Sequence, residues 1–264
     1  MNVHLFDGIA LYSFERLEAW SELSHGAFAR GGGVSDPPFH SLNVSFAVKD
    51  DPTRVQTNRE LAARAAGWDP GRIISASQVH GRQAVAVSRE DLGKGDRPNT
   101  DALVTDEPGI LLLLKFADCV PVILWDPVQR VVGLAHAGWR GTILGTPAAA
   151  LEIMVNRYRS RPSDVLAGIG PSIGPCCYEV GPEVVSAAGR EFAGSNVLQS
   201  GSGGRIHLDL WAANSETLLR AGVPEENIAV AGICTRCRPD IFFSHRAAGG
   251  ITGRFGVIAG IRDD

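Results

Sequence analysis

Long apolar runs, basic clusters and paired histidines are all missing from this chain of 264 residues. No segment reaches the roughly 18 uninterrupted apolar residues of a membrane-spanning helix, because Lys115 and Asp118 interrupt the best candidate. The opening residues, MNVHLFDGIALYSF, show no basic leader followed by an apolar core of signal-peptide length, so a cytoplasmic compartment is expected. Only 20% of residues are charged, and 25 basic against 29 acidic residues leave a formal charge of −4 with no Lys/Arg cluster. Such a surface offers no basic face for a phosphate backbone, which argues against a nucleic-acid partner. Nothing points to a membrane or to an obligatory protein partner either. None of the seven histidines forms a His-x-His pair. Multicopper oxidation of phenols needs many such ligands, so that chemistry is poorly matched. The five cysteines are odd in number and do not make the disulfide framework of a small secreted domain. Cys234 and Cys237 have the spacing of a metal knuckle but no second pair within the usual interval. Core packing, or proximity within the folded site, is expected of them, and burial of the adjacent Cys176 and Cys177.

The chain does have material for a core. Hydrophobic residues make up 44% of it, and no linker-like tract divides it, so residues 1–264 are read as one domain. Strand-like segments alternate with helical ones. Residues 51–67 read as a helix opened by Asp51-Pro52 and stopped at Gly67. A run from Ile73 reads as a strand ending at His80, and Ala84–Val87 as the next. The alanine-containing tract after Gly141 reads as a crossover helix that Pro147 bends or reopens. Residues 200–204, SGSGG, read as a flexible insertion or hairpin tip, with a strand from Ile206 to Trp211 after them. Together these give an α/β or α+β fold, a mixed-sheet core with surrounding helices, whose strand order the pattern does not contain.

The chain is organised around Phe116–Gly141, FADCVPVILWDPVQRVVGLAHAGWRG. An apolar run from 110 to 124 carries Asp118 and Cys119, turns at Asp126-Pro127, and returns through a second run that delivers His136. Upstream, 77-SQVHG-81 supplies His80. A thiolate and two imidazoles are borderline-soft ligands suited to zinc, and three protein ligands leave a fourth position open. The intervals of 39 and 17 residues are not those of a zinc finger, so a buried thiol and two structural histidines are the competing reading. Asp101 reads either as a turn residue accepting backbone hydrogen bonds or as a carboxylate facing the site. The glycines at 31–33 form a permissive loop whose amides suit a phosphate, although an ordinary surface turn fits them better. Arg140, if exposed at a mouth, has the planar fork for a phosphate or carboxylate, while Trp139 reads as a packing anchor. Ser172 and Cys176 lie in a Gly/Pro loop able to face a ligand, and 242-FFSHR-246 forms a last polar patch.

SQVHG, DALVT at 101–105, ADCVPV at 117–122, HAGWRG at 136–141, GPSIGPCCYEVG at 170–181 and CTRCRPDIFFSHR at 234–246 together resemble the laccase-domain, YfiH-like family. The resemblance implies a metal held by His80, Cys119 and His136, with zinc as the ion and copper as an adventitious or alternative one. It implies a purine nucleoside phosphorylase that also deaminates adenosine and takes methylthioadenosine, with nucleoside and phosphate as partners. Family names also include polyphenol oxidase and peptidoglycan editing factor. The second of these suits a cysteine hydrolase in which Cys119 attacks, His136 is the base and Asp101 or Asp118 orients it. The catalytic candidates are therefore Cys119, Asp101 and Asp118. The substrate-contact candidates are Arg30 and Asn43, near the shared GGVS segment, with Arg140, Ser172, His245 and Arg246.

Overall fold

Within the run ILLLLKF at 110–116, Leu112, Leu114 and Phe116 enter one apolar cluster while Leu111 and Leu113 enter another on the opposite side. A strand that is apolar at both alternating sets of positions, here at all but Lys115, is one covered on both faces, and this one lies between two layers. The computed structural model describes residues 1–263. Among them are β1 (Asn2–Phe6), β2 (Ile9–Ser13), β3 (Leu23–Phe28), α1 (Pro52–Ala65), β4 (Ile73–Ser75), β5 (Ala84–Ala86), β6 (Ala102–Thr105), β7 (Ile110–Phe116), β8 (Val120–Asp126) and β9 (Val131–Ala137). They are followed by α2 (Trp139–Leu144), α3 (Thr146–Tyr158), β10 (Leu166–Ile169), α4 (Pro182–Glu191), β11 (Leu198–Ser200), β12 (Ile206–Leu208), α5 (Leu210–Arg220), β13 (Ile228–Val230) and β14 (Phe255–Ile261). No helix among the described residues is long and apolar enough to cross a membrane.

Two mixed six-stranded sheets form, in the orders β1-β2-β3-β14-β7-β4 and β13-β10-β8-β9-β6-β5. They share a core to which the first sheet gives Leu112, Leu114, Val257 and Ala259, and the second gives Leu103, Trp125, Val132 and Leu134. The outer face of the first sheet packs on α1 through Leu111, Leu113, Ala62 and Ala63. The outer face of the second packs on α3, α4 and α5 through Val122, Ala135, Leu151, Ala188 and Leu218. The layers therefore run helix, sheet, sheet, helix, and each fully buried leucine or phenylalanine contributes about 1.5–3 kcal/mol.

Local chemistry sets the element boundaries. Asp51 caps α1 by accepting from the Thr53 amide, and Pro52 occupies a position that needs no donor. Gly145, with φ of 75°, splits the expected crossover into α2 and α3, and Pro147 opens the second helix. The tract at 200–204 joins β11 to β12 as a hairpin. The strand expected to run on to Trp211 stops at Leu208, because the Asp209 carboxylate accepts from the Trp211 and Ala212 amides and starts α5 there. The strand from Ile73 likewise stops at Ser75, well before His80.

The run read as continuous from 110 to 124 is two strands in different sheets. β7 pairs with β14 and β4, whereas β8 pairs with β9 and β10. The chain crosses between the sheets at Ala117–Cys119, with Asp118 in the left-handed region at φ 82°. That crossing puts Cys119 at the edge of the shared core.

Candidate active site

Three elements converge at this edge. His136 stands on β9 opposite Pro121 of β8, on the face that also bears Val132 and Leu134, so its ring points between the sheets. Its ring lies 5.3 Å from that of Phe116. Cys119 arrives from the crossing, and His80 from the irregular segment after β4. The three ligand atoms lie within 4.8 Å of one another, and the two imidazole rings meet edge to face at 4.9 Å.

Asp101, fully buried, sets this geometry. Its carboxylate accepts from the Val79, His80 and Gly81 amides at 3.3, 3.0 and 2.8 Å and lies 2.9 Å from His136 Nδ1. The backbone-accepting reading of Asp101 matches these contacts, while its carboxylate sits behind His136 and is not among the residues that line the cavity. Asp101 holds His80 in a left-handed conformation, φ 60°, that costs an ordinary residue about 1–3 kcal/mol. It also engages His136 at Nδ1, which leaves Nε2 to face outward, the arrangement that metal-binding histidines use. Glycine at 138 completes the enclosure: a Cβ there would lie 3.0 Å from Cys119 Sγ and 3.1 Å from His80 Cδ2.

The electrostatics match a soft-metal donor set. Burial pushes the Cys119 thiol up, but the facing His136 charge and hydrogen bonds from both imidazoles outweigh it and draw it down to about 6. Burial disfavours the His136 imidazolium, and the Cys119 thiolate with the Asp101 carboxylate overcomes this, raising it to about 9. A thiolate is thus already favoured where a cation would need one. Two nitrogens and one sulfur, preorganised by a buried carboxylate, fit a zinc-class ion with room for one further ligand.

A cavity of about 660 Å³ opens from these residues. On one side stands Lys115, the single charge in β7, whose ammonium bonds Asp96 at 2.9 Å and Ser75 at 3.2 Å, and also bonds the Ala76 carbonyl. Burial lowers its pKa to about 8 despite Asp96. Asp96 is simultaneously gripped by Arg59 at 2.9 and 3.2 Å, so two cations share one carboxylate. On the other side are Arg254, His245, Arg246 and Tyr178, with Phe46 at the rim. Arg254 donates to the Thr252 and Gly253 carbonyls at 2.8 and 3.0 Å, and burial depresses its pKa.

Of the residues singled out in the sequence, His80, Cys119, His136, Asp118, His245 and Arg246 line this cavity. Asp118 is engaged at both oxygens, by the Thr235 hydroxyl and the Arg246 amide, each at 2.6 Å, and so ties loops together at the cavity wall. Arg30, Asn43, Arg140 and Ser172 lie outside the lining. Arg30 bonds the His40 and Pro239 carbonyls and stacks on Phe243. Asn43 is buried against Asp50 and the Arg254 amide, and so positions Arg254 from behind. Arg140 stacks on Trp139 and faces Glu183 at 3.9 Å. Ser172 accepts from Trp211 and donates to the Gly170 carbonyl. In and beside the glycine loop, the Gly33 amide donates to Ser41 and the Val34 amide to Asn58, both within the loop's own surroundings. Lys115, Arg254, Tyr178 and Phe46 escaped the sequence reading. Lys115 had a signal, a lone cation inside an otherwise apolar strand.

Fold and site define a class: a helix-flanked double-sheet protein with a Cys-His-His centre at the edge of its shared core and a cationic cavity before it. Residues 24–262 match the family described as multi-copper polyphenol oxidoreductase laccase, and the chain belongs to that family. It is 41% identical over 247 residues to the purine nucleoside phosphorylase YlmD of Geobacillus stearothermophilus, covering 90% of both chains. It is 34% identical over 250 residues to adenosine deaminase RL5 of an unknown prokaryotic organism, covering 92% of this chain and 93% of that one. The crystal structure of the hypothetical protein YfiH of Bacillus licheniformis superposes with a TM-score of 0.91 at 36% identity, over 98% of this chain and 99% of the other. Likeness of this extent to enzymes makes catalysis the general role of the chain.

Proposed function

We propose that the protein is a zinc-dependent purine nucleoside phosphorylase that also deaminates adenosine. One observation carries the reading: a Cys-His-His donor set opens onto the same cavity as the buried Lys115, the half-buried Arg254 and the exposed Arg246. Among the described residues Arg254 forms no ion pair, and Lys115 shares its only carboxylate with Arg59. A half-buried guanidinium without a carboxylate partner and a lysine that shares one suit an anionic ligand, and phosphate is the partner this reading assigns to them. About 660 Å³ accommodates a nucleoside with phosphate beside it. The names of the similar proteins, purine nucleoside phosphorylase and adenosine deaminase, support the same substrates.

His80, Cys119 and His136 would hold the metal, which when bound supplies a Lewis acid able to furnish hydroxide near neutral pH. The remaining work falls to the chain itself. Phosphorolysis needs phosphate held against the anomeric carbon of the ribose, and Lys115, Arg254 and Arg246 supply the positive charge for that placement. Phe46 and Tyr178 offer flat faces for a purine. Asp101 keeps His136 in one orientation throughout, and the double-sheet core excludes water from behind.

The copper-dependent oxidation of phenols is the second reading, and the description of the family model favours it. A thiolate with two imidazoles also accepts copper. Incubating zinc-loaded protein with adenosine and phosphate separates the two. Adenine and ribose 1-phosphate, with some inosine, are expected by mass, and adenine should disappear when phosphate is omitted. Absence of all these products, together with phenol oxidation by copper-loaded protein, overturns the proposal in favour of the oxidase.

A further inference from the structure

We propose that Cys176, Cys177, Cys234 and Cys237 form a second, structural zinc site outside the catalytic cavity. In sequence the two pairs are separated by more than fifty residues, which is why Cys234 and Cys237 lacked a partner pair and were expected to pack in the core or to lie near the folded site, with Cys176 and Cys177 buried. The fold supplies the missing half. Residues 174–178 make a tight turn, in which the Cys177 and Tyr178 amides donate to the Gly174 carbonyl at 2.9 and 3.0 Å. Adjacent thiols diverge in an extended strand, but in this turn both reach Cys237, at Sγ–Sγ distances of 3.7 Å from Cys176 and 3.4 Å from Cys177.

All four sulfurs lie within 4.8 Å of one another, and no disulfide links them. A tetrahedral zinc with Zn–S bonds of about 2.3 Å sets its sulfurs about 3.8 Å apart, so these separations are those of a site near closure. Gly174 donates its amide to Cys234 Sγ at 3.2 Å, the kind of bond that stabilises a thiolate. Cys176 and Cys237 are exposed and Cys234 is buried, so an ion has an entry path and a fixed anchor. Binding releases one proton from each of four thiols and leaves a net charge of −2, and the Arg236 guanidinium stands beside Cys177 to offset part of it.

Four sulfur ligands leave no position for substrate, so the role is structural. The two loops that the ion would join already pair where Thr235 donates to the Ser172 carbonyl at 3.0 Å. One loop carries Ile173 and Tyr178 and the other leads to His245 and Arg246, and all four line the catalytic cavity. A zinc ion here clamps one wall of that cavity.

Metal analysis of the full chain, purified under reducing conditions without added metal, tests this. Two zinc ions per chain are expected, falling to one in Cys119→Ala, to one in Cys237→Ser and to none in the double variant. Loss of the second ion should also lower the melting temperature, which replacing Cys119 need not do. X-ray absorption at the zinc edge of the unmutated protein keeps the test independent of variant folding. Two ions give sulfur-dominated scattering, from five sulfurs and two nitrogens, whereas the catalytic ion alone gives nitrogen-dominated scattering. One zinc lost with Cys119 but retained in Cys237→Ser overturns this inference, as does an intact mass showing disulfides among the four cysteines, or iron with acid-labile sulfide in place of zinc. One zinc retained in Cys119→Ala and lost in Cys237→Ser upholds the inference and overturns the catalytic metal site instead.

Discussion

The two residue clusters of this molecule that could hold a metal ion differ in donor type, burial and support. His80, Cys119 and His136 lie at the edge of the shared core, mix nitrogen with sulfur, and are oriented by the fully buried Asp101. The four cysteines lie between surface loops, offer sulfur alone, and draw their main support from the Gly174 amide and the neighbouring Arg236. On the proposed roles, three ligands before a 660 Å³ cavity leave a place for chemistry, whereas four ligands between two loops leave none. Donor number and surroundings, more than the presence of cysteine, tell the two apart.

Breaking the catalytic side of this contrast should produce the largest effect. Cys119→Ala removes the only sulfur of the cluster, and kcat is expected to fall at least about 1,000-fold, equivalent to about 4 kcal/mol. Steady-state assay with adenosine and phosphate checks this, and activity within tenfold of the parent would mean that the cluster is not the centre of catalysis. Next comes Asp101→Asn, which puts an NH₂ among amide donors and weakens the hold on His136. Zinc affinity measured by competition with a chelator should drop about 10- to 100-fold. Stability to urea should fall by about 1–3 kcal/mol, since buried donors lose their acceptor.

Lys115→Met sharpens the contrast by leaving the metal in place. Asp96 keeps Arg59 as its partner, so the fold should persist, while the KM for phosphate rises about tenfold or more with zinc content unchanged. An unchanged KM would remove Lys115 from the phosphate site. The smallest effect is expected at Arg140, exposed and 3.9 Å from Glu183. Arg140→Ala should alter stability by less than about 0.5 kcal/mol and leave kcat/KM within about twofold.

Much of this architecture was legible in the residues. Asp51-Pro52 announced α1, Gly145 and Pro147 lay where the crossover helix breaks, and the apolar runs marked strands covered on both faces. The break between β7 and β8 was not legible, because buried strands in two different sheets are equally apolar and only pairing distinguishes them. The three presumed ligands could be proposed from motifs, but their approach within 4.8 Å depends on that hidden crossing. Arg140 and Ser172 stand outside the cavity lining, where one stacks on Trp139 and the other bonds Trp211, because polar residues beside a functional motif also satisfy structural needs. Asn43 acts one layer behind the cavity, through the Arg254 amide. The cysteine pairs were unreadable as a group because loop proximity across more than fifty residues leaves no local periodicity.

The central claim is that Cys119 serves as a metal ligand rather than as a nucleophile, and alkylation with peptide mass mapping, run with and without a strong chelator and alongside activity, tests it most directly. A thiolate committed to zinc is shielded from alkylation, so Cys119 should label slowly until the metal is stripped, and activity should fall with the metal. In the stripped protein, the charge of His136 holds the Cys119 pKa near 6 against burial. Its labelling rate should therefore rise as pH increases through about 6 and level off above, where an ordinary thiol is still mostly protonated. Stripped protein that stays active, and loses that activity only as Cys119 is labelled, would contradict the account and make this residue the nucleophile of a hydrolase.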